Sequence, residues 1–378
     1  MTWKSLSIQR TRRPVRLPRI ASARGGIASL LLAAGAAAVI ASARQSLVVA
    51  VIRALGDVLG WAIMRVLLAL ALCLASVAAT AQSTRFAVPD WLFPRSPPVS
   101  ATAPPADDVN LIHMPNSEAA FTAAQLGNLF FVPDWHPATH GPMPEVVAHG
   151  RPPDVYACAY CHMPRGQGRP ENAPLAGLPA QYIIQQVEDF KSGARHGAAK
   201  GGYLPTDGMI KLSKSLSAAD LAAAADYFAA LRMTKRTRVI ETVRVPKTDV
   251  VGWIYASKTG TVTEALGQRI LELTKDTQAH EQRADGLLYI AYVPMGSISR
   301  GRSVAQSTCV TCHGDKLQGV GLIPPLAGRS PTYILRQLVA FRTGARAGAA
   351  GAPMKPVVEG MKINNMIDVA AYAGSLQP

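Results

Sequence analysis

Two five-residue stretches gather the reactive side chains of this 378-residue chain. One is Cys158-Ala159-Tyr160-Cys161-His162 and the other is Cys309-Val310-Thr311-Cys312-His313, so both read C-x-x-C-H. Two thiols at that spacing can add to the two vinyl groups along one edge of a porphyrin. The adjacent histidine then offers an imidazole nitrogen to the iron. A C-x-x-C pair by itself would also suit a thioredoxin-type redox centre, half a zinc site or a disulfide. A zinc ribbon holds its two pairs about 15–20 residues apart, whereas Cys158 and Cys309 are 151 positions apart. A thioredoxin pair belongs in a βαβ pattern, which neither stretch has. The histidine behind each pair favours covalent attachment of two haem c groups, bound through Cys158, Cys161, His162, Cys309, Cys312 and His313.

The elements that must position these residues are written twice. Adding 151 maps Gly150-Arg151 onto Gly301-Arg302, Cys158 onto Cys309, and Pro174-Leu175-Ala176-Gly177 onto Pro325-Leu326-Ala327-Gly328. The same offset carries Tyr182, Gln186, Phe190 and Gly193-Ala194-Arg195 onto Tyr333, Gln337, Phe341 and Gly344-Ala345-Arg346. Beyond that point the offset falls to 145, which pairs Met209, Tyr227 and Leu231 with Met354, Tyr372 and Leu376. Repetition of this length predicts two similar domains. In each, a helix opens at proline (Pro179, Pro331) and closes at glycine (Gly193, Gly344). A second helix is expected from Ser217, capped by Ser217 and Asp220, and its partner from about Asn364 to Leu376.

A histidine-bound iron needs either a second axial ligand or an open site, and that choice separates carrier from enzyme. Met209 and Met354 occupy matched positions, each expected on a loop just before the last helix, beside Gly208 or Pro353. A lone methionine is usually core filler; two in register point to thioether ligation, making His162, Met209, His313 and Met354 the metal ligands. Met163 adjoins His162 and cannot cross to the other haem face, while Met361 and Met366 fit the apolar pattern of the core. Pro174 and Pro325, each 12 residues after its histidine, offer carbonyls to hold the imidazole Nδ1 proton.

Taken together, C-x-x-C-H, then Pro-Leu-Ala-Gly, then Tyr-Ile-x-x-Gln-x-x-x-Phe-x-x-Gly-Ala-Arg, then methionine before a helix ending Tyr-x-x-x-Leu, resembles the class I cytochromes c. The tandem arrangement most resembles the dihaem cytochrome c4 group, over about Gly150–Met233 and Gly301–Pro378. The resemblance implies two small helical domains, His/Met-ligated irons and single-electron transfer in the periplasm. Residues 82–149 and 234–300 depart from that pattern, since the family joins its two domains by a short linker. They argue against simply transferring its tight head-to-head haem arrangement.

The implied fold class is all-α: two tandem cytochrome c domains with an extended arm and an inter-domain insert containing some β. The expected divisions are an N-terminal extension of doubtful start (1–63), a signal peptide (64–81), the arm (82–140), domain 1 (141–233), the insert (234–300) and domain 2 (301–378). Met64-Arg65, the apolar run Val66–Ala78 and Ala79-Thr80-Ala81 form the signal pattern, which places Cys73 in a removed segment. Most of the formal charge of +15 lies in residues 1–81, where the basic side chains face one acid, Asp57; a nucleic-acid partner is therefore not indicated. Membrane anchoring through 1–63 is a lesser alternative, its apolar run at 27–41 being shorter than the ~20 residues a span needs. His136 and His140 near Asp134 read as packing rather than a metal site, because the prolines around them oppose one ligand-bearing helix. Strand-like alternation runs over 238–245 and 287–293. No acid/base constellation accompanies the haem motifs, so an electron carrier is read in preference to an enzyme. Its partners would be redox proteins such as a dehydrogenase, a quinol–cytochrome c reductase or a terminal oxidase; a dihaem peroxidase or a haem subunit of a larger complex is the alternative.

Overall fold

Proline and glycine punctuate the helices much as backbone chemistry requires. In the computed structural model, which describes residues 47–52, 86–96, 109–258 and 260–378, the first repeat contains helices α2 (Glu145–Ala148), α3 (Cys158–His162), α4 (Ala180–Ser192), α5 (Leu204–Ser215) and α6 (Ala218–Ala230). They follow a hairpin of β1 (Leu111–His113) and β2 (Ala120–Thr122) and the short α1 (Ala123–Gly127). The expected signal peptide and Cys73 lie outside the described residues. So does most of the 1–63 extension, apart from a helical stretch at 47–52. Among the described residues no helix is long and apolar enough to cross a membrane.

The segment at 234–300 holds β3 (Thr237–Glu241), β4 (Arg244–Pro246), β5 (Thr248–Val251), β6 (Ile254–Ser257), β7 (Thr263–Ala265), β8 (Leu271–Thr274), α7 (Thr277–Glu281) and β9 (Tyr289–Val293). The second repeat follows as α8 (Ser297–Thr308), α9 (Val310–His313), α10 (Pro331–Thr343), α11 (Met354–Glu359) and α12 (Ile363–Ser375). The insert carries far more β structure than an all-α description allows. Strand β9 pairs parallel with β3 and antiparallel with β8, and two antiparallel ribbons, β4–β7 and β5–β6, fill the crossover.

Gly193 and Gly344 end α4 and α10 in the left-handed conformation, at φ 83° and 77°, where a side chain would be strained. Ser330 caps α10 by accepting the Tyr333 N–H, with Pro331 at its first position; Ser217 caps α6 by accepting the Asp220 N–H. The proline at the first helix is one residue outside it: Pro179 is the cap of α4 at ψ 134°.

The two copies part company before the C-x-x-C-H motif. Gly301 lies inside α8, and a Cβ there would stand 1.9 Å from the Asp368 carbonyl oxygen, so α8 and α12 cross at a glycine. Gly150, its match by offset, sits in a turn at φ 67°. Pro152 and Pro153 explain the difference, because proline removes backbone donors and biases the preceding residue away from helix.

The insert is built into the second repeat. Ile270, just before β8, and Ala291 and Val293 of β9 share one apolar cluster with Leu335, Val339, Met366 and Ile367 of α10 and α12. Buried Glu272 on β8 accepts from Thr237 Oγ1 at 2.9 Å, Ser330 Oγ at 2.6 Å and the Thr332 N–H at 3.2 Å, tying the sheet to the start of α10. Residues 86–96, with a 3-10 turn at Asp90–Leu92, pack against β5–β6: Ser96 bonds the carbonyls of Gly252 and Val250, and Tyr255 bonds that of Trp91. Trp135, 1% exposed, packs with Met114 and Leu126 and donates to the Gln282 carbonyl at 3.0 Å.

Candidate functional site

Each C-x-x-C-H stretch forms a short helix with its histidine inward, His162 and His313 both 7% exposed. The His162 Nδ1 lies 2.8 Å from the Ala173 carbonyl and the His313 Nδ1 lies 2.9 Å from that of Pro324. A carbonyl only accepts, so Nδ1 carries the proton and Nε2 keeps its lone pair. The acceptors are the residues just before Pro174 and Pro325, not those prolines themselves. Proline holds its predecessor extended, which aims that carbonyl back at the imidazole. Burial lowers the pKa of both imidazoles, against the carbonyl hydrogen bond that raises it, and this favours the neutral, ligating form.

The loop carrying these carbonyls depends on a matched glycine that the sequence reading passed over. Gly168 and Gly319 have φ of 66° and 81°, and a Cβ at either would lie 2.5–2.8 Å from backbone atoms of the proline turn. Their N–H groups bond the carbonyls of His162 and His313. The offset of 151 already pairs them; the repeat was the signal that could have found them.

Cys158, Cys161, His162 and Met209 line one apolar cleft of about 1130 Å³ with Leu175, Val187 and Phe228. A neighbouring cleft of about 970 Å³ shares His162 and Met209. In the second repeat Cys309 is buried and Cys312 exposed, while Met354 packs half-buried on the cluster that contains Cys309. There the link between His313 and Met354 is the repeat. Neither methionine is on a loop: Met209 is inside α5 and Met354 is the first residue of α11. Pro205 and the Asp207 carboxylate, which accepts the Tyr203 N–H at 2.9 Å, start α5 early, and Gly208 is carried within it.

The thiol environments oppose the thioredoxin-type reading. Burial pushes the Cys158 thiol up to about 12 and that of Cys309 to about 11, the opposite of the depressed value of an activated redox thiol. The four described cysteines are free, and no group of metal-binding acids, histidines and cysteines occurs among the described residues. His136 pairs with Asp285 at 2.6 Å and His140 with Asp134 at 3.2 Å.

The conserved spacing of the repeat's second half acquires a reason between the copies. Arg195 bonds Gln186, Tyr333 and Gln337, and Arg346 bonds Gln337, Tyr182 and Gln186. Main-chain bonds His196 N to Ala345 O and Ala347 N to Ala194 O, both 2.7 Å, complete a pseudo-two-fold contact. The long insert therefore does not keep the copies apart. Arg195 and Arg346 are 9% and 8% exposed, yet neither has a carboxylate within ion-pair distance among the described residues. Burial lowers the Arg195 pKa, as does the Arg346 charge. Haem brings two carboxylates per group, so the buried cations and the apolar clefts both fit it.

The structural class is that of a c-type cytochrome, and comparison with known proteins agrees. The cytochrome c family model matches residues 298–377. Cytochrome c-554(548) of Halomonas halodenitrificans is 42% identical over 69 residues, 18% of this chain and 83% of that protein. The thiosulfate dehydrogenase electron acceptor of Thiomonas intermedia is 28% identical over 200 residues, 52% of this chain and 68% of that protein. Cytochrome c4 of Azotobacter vinelandii is 25% identical over 223 residues, 58% and 83% of the two chains. Among solved structures, a thiosulfate dehydrogenase from Marichromatium purpuratum aligns with TM-score 0.38 and 24% identity, over 59% of this chain and 37% of that one. The chain belongs to the class I cytochromes c, similar to cytochrome c4, and is a dihaem electron-transfer cytochrome with two covalently bound haem c groups.

Proposed function

We propose an exported protein that passes single electrons between redox partners through two His/Met-ligated haems. Cys158 and Cys161 form the thioethers of the first site and Cys309 and Cys312 those of the second. His162 with Met209, and His313 with Met354, would hold the two irons. The observation that carries this reading is the identical setting of the two imidazoles. Each has its Nδ1 proton held by a backbone carbonyl at 2.8–2.9 Å, leaving Nε2 as the donor to a metal, with a methionine at the matched place in each copy. Bound haem supplies a one-electron couple, which a thioether ligand tunes upward. The chain orients the imidazoles, lines the first cleft with the apolar side chains of Leu175, Val187 and Phe228, and holds buried Arg195 and Arg346, whose charges would suit the carboxylates of the group.

The functional divisions are domain 1 at 141–233 and domain 2 at 301–378, with the segments at 82–140 and 234–300 as structural covers. Residues 64–81 direct export to the periplasm. A dehydrogenase is the favoured electron donor, since one relative is named as the electron acceptor of thiosulfate dehydrogenase. Two measurements test the reading. Acid-denatured protein should keep its colour, with a mass two haems above the chain; colour lost to organic solvent would refute covalent attachment. Reversible reduction and reoxidation without peroxidase-level turnover of hydrogen peroxide is expected; rapid peroxide turnover would favour the enzymatic alternative.

A further inference from the structure

One arginine holds both of the turns that aim carbonyls at the imidazoles. Arg329 directly follows the Pro325-Leu326-Ala327-Gly328 motif of the second repeat and precedes Ser330, the cap of α10. It is 3% exposed. Its Nε donates to the Pro325 carbonyl at 2.8 Å, within its own repeat. The rest of the same guanidinium reaches the first repeat, where Nη1 donates to the Pro174 carbonyl at 2.7 Å and Nη2 to that of Ala176 at 2.9 Å. Pro174 and Pro325 directly follow Ala173 and Pro324, whose carbonyls hold the Nδ1 protons of His162 and His313. A single side chain therefore grips each turn at the residue next to its imidazole acceptor.

The other copy does not return this contact. The offset of 151 pairs Arg329 with Leu178, which has no side-chain donor. The bridge is built once and serves both repeats. A guanidinium suits the place because its donors lie in one rigid plane and can satisfy acceptors on two sides. Arg169 and Arg300 pair with carboxylates at 3.0 and 2.8 Å. Arg329 instead faces carbonyls, and among the described residues no carboxylate lies within ion-pair distance of it. Burial lowers its pKa to about 10, against the Tyr333 and Tyr182 side chains that raise it, so it stays charged at neutral pH. Positive charge left uncancelled in a low-dielectric interior favours the less positive, reduced state of a nearby iron.

We propose that Arg329 is a positioning residue for both redox sites at once: its one guanidinium fixes the two turns that orient His162 and His313, and its charge raises the potentials of both haems together. This rests on the two-haem reading above and adds which side chain sets a level common to the two sites.

The test is a redox titration of the holoprotein at the haem α-band for the parent, Arg329→Gln and Arg329→Lys. Proton NMR of the reduced proteins follows solvent exchange of the two histidine Nδ1 protons alongside it. Arg329→Gln removes the charge and most of the donors, so both reduction equilibria should shift toward the oxidised state by about three-fold or more. Both Nδ1 protons should then exchange faster. Arg329→Lys keeps the charge but not the fork, so both equilibria should stay within about two-fold of the parent while both protons again exchange faster. The lysine variant decides the matter if the glutamine variant does not fold. A shift at one haem only, or at neither, in Arg329→Gln overturns the proposal. So does an equal shift in both variants, which would assign the effect to packing rather than charge, or unchanged exchange at either histidine in Arg329→Lys. The pyridine haemochrome spectrum tests the underlying reading separately: fewer than two haem c groups per chain in the parent would sink that reading, whereas two groups with unmoved potentials would sink the role of Arg329 alone.

Discussion

Replacing Arg336 with glutamine should lower the potential of the first haem. Arg336 belongs to α10 of the second repeat but lines the neighbouring cleft that shares His162 and Met209. It is 6% exposed, donates to the carbonyls of Leu92 and Pro170 at 2.8 Å, and lies 4.9 Å from the Tyr203 ring centroid. The position matching it in the first repeat is Gln185, which is neutral. Arg336 is therefore a buried cation beside the first site with no counterpart in the other copy. A nearby positive charge favours the reduced iron, so the first haem should have the higher potential. For unit charges about 12 Å apart at an effective dielectric of about 20, the interaction is ~1.4 kcal/mol. That corresponds to about 60 mV for a one-electron couple. A redox titration followed at the haem α-band should resolve two potentials in the parent, with Met209→His and Met354→His identifying each. Arg336→Gln should lower the first by several tens of millivolts and leave the second nearly unchanged, while Arg336→Lys should retain most of it. A first-haem potential that stays put or rises in Arg336→Gln would refute the reasoning.

Two further outcomes follow from packing and charge. Gly301→Ala should destabilise the second repeat by about 3 kcal/mol or more, because the new Cβ would clash with the Asp368 backbone and the helices must separate; an unchanged thermal midpoint would contradict the close crossing. Burial alone would raise the Glu171 carboxyl, but the Arg169 charge, with His280 beside it, holds it well below the usual carboxylate range. The folded pKa is depressed, so this stabilisation is complete above the unfolded value of about 4.3 and disappears as pH falls below it toward the folded value. Glu171→Gln should flatten the fall of thermal midpoint with acid below about pH 4.3 and lower the midpoint at neutral pH, where Arg169 loses its partner; an unchanged acid slope would show that the group carries no such linkage.

The repeat and the helix caps at Ser217, Ser330, Gly193 and Gly344 were legible because each rests on a local signal: a matched residue spacing, a hydroxyl cap, a left-handed glycine. The placement of Met209 and Met354 in helices was not, because an isolated Gly208 or Pro353 reads as a loop unless the cap at Tyr203–Asp207 is seen. The proximal carbonyl was misplaced by one residue, since proline's effect falls on the residue before it. Least legible was the insert. Its strands β3 and β9 alternate visibly, but their parallel pairing spans a long crossover, and its bonds to Arg169 and Glu171 through His280 join residues distant in sequence. The same holds for Arg195 and Arg346: the motif was plain, but its role between the copies required both to be seen together.

The central claim is that each iron is held by histidine on one side and by Met209 or Met354 on the other. It is tested most directly by titrating the fully reduced protein with carbon monoxide and counting molecules bound per chain. The account predicts none for the parent, one each for Met209→Ala and Met354→Ala, and two for the double variant. Carbon monoxide uptake by the parent, or none by either single variant, would contradict it.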